Sequence, residues 1–174
     1  SESSYLDRFD RLKLTNDTGI PSYAEWYYGP QIWQMTNLNI LRTSDGRFFD
    51  HASLTLSQQY FRESRHTRRY QSDEKVSREE NVDVYTVNLD LEKNMSSTSR
   101  LFYGGEVVLN DISSFGFSQD MDDNTTSPTS TRYPDGSDWN SFSGYISHRL
   151  KFSDKINIQS GIRYSHFFLV FFFF

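Results

Sequence analysis

The sequence predicts an all-β protein, an antiparallel meander of about six strands, and three observations predict it. Apolar and polar residues alternate with a period of two, the connections alternate between short and long, and the composition is aromatic yet polar. Of the 174 residues, 17% are aromatic, with 15 Phe and 11 Tyr, and the mean hydropathy is −0.69. Strands with one apolar and one wet face accommodate both properties.

Six segments carry the alternation, at residues 26–41, 52–60, 85–91, 101–109, 141–150 and 156–165. In the second of them, Leu54 and Leu56 lie on an apolar face, whereas Thr55 lies on a polar one. The first segment is irregular, because Trp33 and Met35 have one parity while Leu38 and Ile40 have the other. A β-bulge near Thr36 or Asn37 would reconcile the two halves, and we predict one there.

The connections distinguish a membrane barrel from a soluble one. Short turns are predicted at 43–46, 92–99 and 152–155, and long polar loops at 62–81 and 113–138. Transmembrane barrels place short turns on the periplasmic side and longer loops outside. Tyrosines also fall near the predicted strand ends, as an interfacial girdle requires: Tyr60, Tyr85, Tyr103 and Tyr164. The pattern therefore favours a segment of a transmembrane β-barrel over a soluble lipocalin-like barrel.

Several other classes of protein lack support in the sequence. The net charge of −5 is interspersed, so we expect no nucleic-acid partner. The chain has no cysteine, which excludes disulfides, thiolate metal sites and cysteine nucleophiles. No stretch approaches the roughly 18 to 20 apolar residues of a spanning helix. Neither a nucleophile elbow, nor a phosphate-binding glycine loop, nor a zinc-protease motif occurs. We expect no enzyme and no cofactor.

Three stretches carry a family resemblance. Residues 52–70 read ASLTLSQQYFRESRHTRRY, residues 130–139 read STRYPDGSDW, and residues 159–166 read QSGIRYSH. The first resembles a barrel hairpin and loop of TonB-dependent outer-membrane receptors. The others are similar to an outer loop of those receptors and to their strands that end in Gly-x-Arg-Tyr. The resemblance covers residues 23–166.

The resemblance implies a role in nutrient uptake. Such receptors have a barrel of about 22 strands and an N-terminal plug, and they carry siderophores, haem or similar scarce nutrients with energy from the TonB complex. At the spacing seen here, 22 strands would need on the order of 500 residues. We therefore expect residues 23–166 to be part of such a barrel, residues 1–22 to end a preceding extracellular loop, and the Phe-rich residues 167–174 to reflect truncation. The expected partners are outer-membrane lipid, a ligand such as a ferric siderophore or haem, and the TonB complex through the missing N-terminal part.

The candidate ligand-binding residues belong to the predicted outer loops. Arginine forks suit carboxylate and phosphate groups, and several arginines cluster in the 62–81 segment. The candidates are Arg62, Arg65, His66, Arg68, Arg69, Tyr70, Arg132 and Tyr133. A solvated loop balanced by nearby acids is the alternative interpretation. The carboxylates Asp90 and Glu106 are expected to line a wet lumen together with Arg149 and Arg163.

No metal site is expected, since the four histidines are scattered and the acidic run 120–124 lacks the glycine and distal glutamate of a calcium loop. One further alternative stays open. A chain of this length could just close a complete eight-stranded outer-membrane barrel with a structural or adhesive role, if both ends add a strand.

Overall fold

The computed structural model describes residues 1–170. They form a nine-stranded antiparallel sheet and one single-turn helix, α1, at Phe9–Leu12. The strands are β1 (Leu6–Asp7), β2 (Tyr23–Tyr28), β3 (Ile32–Thr43), β4 (His51–Arg69), β5 (Glu74–Asn94), β6 (Ser99–Asp120), β7 (Thr126–Pro128), β8 (Ser137–Lys151) and β9 (Asn157–Val170). No helix within this range is both long and apolar enough to cross a membrane.

The sheet is an up-and-down meander. Its order is β1-β2-β4-β5-β6-β8-β9, while β3 pairs with the lower part of β4 and β7 with the upper end of β6. Because β2 and β3 both lie along β4, the sheet has six long strand positions. The predicted fold class, an antiparallel meander of about six strands, is confirmed. Residues 1–22 include β1, α1 and the turn before β2.

The predicted bulge at Thr36 or Asn37 is wrong. Strand β3 pairs with β4 in unbroken register from Ile32 to Thr43. The extra residue lies earlier, where the chain advances four residues from Tyr28 to Ile32 while β4 advances only three between their partners Arg65 and Arg62. Gly29 and Pro30 occupy this irregularity and divide the predicted strand 26–41 into β2 and β3. Trp33 and Met35 simply lie on the opposite face from Leu38.

One face of the sheet, which we call the outer face, carries an apolar band. The pairing aligns Leu56, Val87, Val107 and Phe142 in one row across four strands, and apolar residues also predominate in the neighbouring rows. These side chains are exposed in the chain itself: Leu56, Tyr85, Val87, Leu89, Leu109, Phe142, Ile146, Ile162 and Tyr164. Such a band matches the lipid-facing surface of a membrane barrel.

The opposite, inner face is polar at the level of the band. Tyr145 donates a 2.6 Å hydrogen bond to Asp90, two strands away. Arg163 forms a 2.8 Å ion pair with Glu106. Arg149 donates to Gln159 at 3.0 Å. The four residues expected to line the lumen, Asp90, Glu106, Arg149 and Arg163, thus share this face, as a wet barrel interior requires.

Burial is inverted relative to a soluble protein. Among the described residues, Trp26 is the one hydrophobic side chain classed as buried, whereas six polar or charged residues are buried: Ser77, Glu80, Asn110, Ser114, Ser118 and Ser137. A lipocalin-like barrel would instead enclose its apolar faces. The sheet therefore places its apolar surface toward the surroundings and keeps its interior polar.

The predicted long loop 62–81 is wrong. Strands β4 and β5 continue without interruption to Arg69 and from Glu74, with a turn at 70–73 between them. The predicted loop 113–138 is correct only in part, because β6 runs on to Asp120 and short β7 returns along it. The wall of the sheet thus extends beyond the apolar band by roughly ten residues, about 30 Å of strand.

The short connections lie at the other end of the sheet, at 44–50, 95–98 and 152–156. The first is longer than the tight turn predicted at 43–46. Lys93, near the end of β5, holds the 44–50 connection in place. Its Nζ donates to the Asp50 carboxylate at 2.6 Å and to the Gly46 carbonyl at 2.8 Å. At the other end of the chain, residues 167–170 of the Phe-rich run continue β9, and residues 171–174 lie outside the described range.

Candidate functional site

The predicted basic cluster is divided between the two faces of β4. Side chains alternate along a strand, so Arg62, His66 and Arg68 project from the outer face while Arg65 projects from the inner one. Arg69 is the last residue of β4, and Tyr70 lies in the exposed turn that follows. The eight candidates therefore do not form one site.

Most outer-face members of the cluster already have partners. Arg62 pairs with Glu79 at 2.8 Å, and Arg68 pairs with Glu25 at 2.8 Å. The two nitrogens of the His66 ring lie 3.1 Å from the Ser64 hydroxyl and 2.8 Å from the Ser77 hydroxyl. Burial lowers the pKa of His66, and the nearby Lys75 charge adds to this effect. His66 is thus held between two hydroxyl groups in surroundings that disfavour its charged form.

Arg65 occupies an aromatic niche on the inner face. Its guanidinium carbon lies 5.4 Å from the centre of the Trp26 ring and 5.5 Å from that of Tyr28. Arg8 contacts the same two rings, at 5.1 and 5.7 Å. Arg8 also pairs with Asp10 at 2.7 Å. Stacking on aromatic rings fixes the plane of Arg65 but leaves its edge available for polar partners.

Glu80 lies beside Arg65 on the inner face and is 5% exposed. It is the cross-strand neighbour of Glu63 and Ser114. Its Oε1 atom has no hydrogen-bond partner within residues 1–170. Burial raises the pKa of Glu80, and Glu63 raises it further, although the guanidinium groups of Arg132, Arg65 and Arg78 oppose the shift. A buried carboxyl without a partner favours its neutral form.

The connection between β7 and β8 folds back onto the inner face above Glu80. The backbone N–H of Thr129 donates to the Gly116 carbonyl at 3.0 Å, and Arg78 Nε donates to the Ser130 carbonyl at 2.8 Å. A Cβ at Gly116 would lie 2.7 Å from the Thr129 oxygen, so this close approach requires glycine. We call residues 129–136 the inner flap.

Arg132 and Tyr133, the remaining predicted candidates, belong to the inner flap. Arg132 reaches Glu63 on β4 at 3.1 Å and packs over the Tyr133 ring at 5.1 Å. The flap also supplies Asp135, whose Oδ1 accepts a 2.9 Å hydrogen bond from the Ser114 backbone N–H. Of the eight candidates, the structure therefore brings Arg65 and Arg132 to one inner-face site.

Sequence reasoning missed three members of this site, Arg78, Glu80 and Ser114. The 62–81 segment carries charges on both parities, so no apolar contrast distinguished strand from loop there. With the segment assigned to a solvated loop, the positions of Arg78 and Glu80 on a common face could not be inferred. No motif or pattern in the sequence around Ser114 predicted a role in a site.

The acidic run 120–124 shapes a turn. Asp120 accepts a hydrogen bond from the Asp122 N–H at 2.9 Å, and Asp123 accepts one from the Thr125 N–H at 2.9 Å. Asn124 adopts a positive φ of 59°. Within residues 1–170, no three His, Asp or Glu side chains are grouped closely enough to hold a metal ion.

Glu80→Gln is expected to stabilise the protein by about 1 kcal/mol at alkaline pH, where Glu80 is ionised, because the amide has the shape of the carboxyl but carries no buried charge. The folded-state pKa of Glu80 is raised. Stability of the unchanged protein should therefore fall as pH rises from the ordinary carboxyl range through that raised pKa. The variant should lose this dependence. Urea unfolding in detergent across pH measures both effects, and equal stability of the two proteins at alkaline pH would contradict the prediction.

The arrangement defines an integral outer-membrane β-barrel protein: an antiparallel meander with an apolar outer band and a polar inner face. A model of the outer membrane protein beta-barrel family matches residues 43–171. The chain belongs to this family, and its location is the bacterial outer membrane. No curated protein and no solved structure matches the chain.

Proposed function

We propose that the chain forms part of a TonB-dependent outer-membrane receptor that takes up a ferric siderophore, haem or a similar scarce nutrient. The single observation that carries this proposal is the extension of strands β4, β5 and β6 beyond the apolar band. Strands β4, β5 and β6 have 19, 21 and 22 residues, whereas a membrane crossing needs only about 9 to 11.

In a receptor, strand length beyond that needed to cross the membrane can form a ligand-binding surface. A wall that rises beyond the membrane encloses a vestibule at the end of the sheet opposite the 44–50, 95–98 and 152–156 connections, and its inner face can hold a ligand before transport. The inner face here carries Arg65, Arg78 and the inner flap at that height. A barrel with only a structural or adhesive role needs no polar, partly covered site on its inside. TonB would act through a part of the receptor other than the described barrel strands.

The test is a deletion of the gene in its native host, followed by uptake of radiolabelled iron supplied as ferric siderophore or as haem. Uptake from at least one source should be lost, should return with the full-length gene, and should stop when an uncoupler dissipates the proton-motive force. Uptake that is unchanged from every source, or that persists in uncoupled cells, would overturn the proposal. Unchanged uptake with altered envelope integrity or cell adhesion would favour a small structural or adhesive barrel.

A further inference from the structure

Three buried polar groups on the inner face of the sheet have no partner. They are Nε of Arg65, Oε1 of Glu80 and Oγ of Ser114, and the statement holds for the described part of the chain. Glu80 and Ser114 are 5% and 2% exposed. The three residues lie on the same face of the adjacent strands β4, β5 and β6. Leaving even one such group unpaired is costly, so three together indicate a site that is completed by a ligand.

The charge of the site points to the ligand. Arg65 and Arg78 form no ion pair with an acid in the described residues, whereas Arg132 is paired with Glu63. The charged groups that face Glu80 are Arg65 and Glu63 from β4, Arg78 from its own strand, and Arg132 and Asp135 from the flap. Below the raised pKa of Glu80, where its carboxyl is protonated, these three cations and two anions leave one positive charge.

We propose that Arg65, Arg78, Glu80 and Ser114 bind one carboxylate group of a soluble ligand, and that the inner flap is displaced when this ligand enters. Arg65 Nε, the Ser114 hydroxyl and the Glu80 carboxyl in its protonated form are all donors that a carboxylate can satisfy. Displacement of the flap also frees Arg78 from the Ser130 carbonyl. The single negative charge of one carboxylate group balances the site, and the other carboxylates of a ligand such as citrate can stay in water, whereas both charges of a phosphate dianion lie on the one group that would enter. The proposal rests on the proposed receptor role for its purpose, since it names the chemistry of the captured nutrient.

The first test measures citrate binding to the full-length protein in detergent by calorimetry. Citrate should bind saturably, and Arg65→Gln or Arg78→Gln should weaken binding at least tenfold. Arg62→Gln is the matched control, because Arg62 lies on the outer face of the same strand and pairs with Glu79. It should change the affinity less than twofold. Absence of saturable binding, or binding that is indifferent to Arg65→Gln, would overturn the proposal.

Two further measurements, of phosphate binding and of the pH dependence of citrate binding, complete this test. Inorganic phosphate should bind more weakly than citrate, and equal or tighter phosphate binding would overturn the assignment to a carboxylate. Citrate affinity of the unchanged protein should fall as pH rises and Glu80 ionises, whereas Glu80→Gln should retain its affinity. Binding is read on purified protein, so citrate binding without nutrient uptake would refute the receptor role alone, and uptake without citrate binding would refute the carboxylate site alone.

The second test concerns displacement of the flap. These 174 residues contain no cysteine, so Ser114→Cys introduces one thiol into this part of the protein, beneath the flap. A membrane-impermeant maleimide should label the introduced thiol slowly in outer membranes. Adding Gly116→Ala should accelerate labelling several-fold, because the new methyl group would displace the inner flap from β6. Gly144→Ala is the control, because the nearest atom to its Cβ would be the Gly104 oxygen, at an ordinary 3.7 Å. Equally fast labelling in all three backgrounds would show that the flap does not cover the site.

Discussion

Val87→Arg is expected to prevent stable insertion of the barrel or to destabilise it by about 2 to 4 kcal/mol, the cost of an arginine near the middle of the lipid. Val87 lies on the outer face, 44% exposed in the chain itself, between Leu56 and Val107 in the middle of the apolar band. Its replacement would place a guanidinium in hydrocarbon without a partner. Folding of the full-length protein into lipid vesicles, followed by the heat-dependent shift in gel mobility, measures the folded fraction.

Asn88→Arg is the matched control for Val87→Arg. Asn88 is the next residue of β5, and its side chain points to the inner face between Thr55 and Glu106. An arginine there gains an acidic neighbour and contact with water, so the folded fraction should stay close to that of the unchanged protein. If Val87→Arg folds as well as Asn88→Arg, the assignment of the two faces is wrong.

Gly104→Ala should be the most disruptive small change on the inner face. A Cβ at this position would overlap the Leu89 carbonyl oxygen and lie 2.9 Å from the Tyr145 ring. Tyr145 crosses over Gly104 to reach Asp90 at 2.6 Å, so the added methyl would also disturb this hydrogen bond. We expect a loss of about 2 kcal/mol, typical of overpacking against backbone, measured by urea unfolding in detergent micelles.

Gly144→Ala gives the comparison for Gly104→Ala. The nearest atom to its Cβ would be the Gly104 oxygen at 3.7 Å, an ordinary van der Waals contact. This variant should lie within about 0.5 kcal/mol of the unchanged protein. A similar loss in both variants would mean that glycine flexibility, and not the close approach of β5 and Tyr145, explains the effect.

The alternation of apolar and polar residues was sufficient to predict the strands inside the membrane and the direction of their faces. Lipid on one side and water on the other impose a strong contrast, so Leu54, Leu56 and Val87 could be separated from Thr55 and Asn88 by alternation alone. A shift of one residue would turn every apolar side chain to the wrong face, which is why the pattern is so regular there. The family match at residues 43–171 agrees with this assignment.

The structure above the apolar band could not be predicted from the sequence, because it depends on pairing between strands. Beyond the lipid both faces of a strand can be wet, so the segment containing Arg65 and Glu80 carries no alternation, and backbone pairing between β4 and β5 maintains it as a sheet. The position of the bulge at Gly29 also depends on pairing with β4, which a single strand does not reveal. The inner flap brings Arg132 to Glu63, 69 residues away in the chain, through a fold-back that no local pattern encodes.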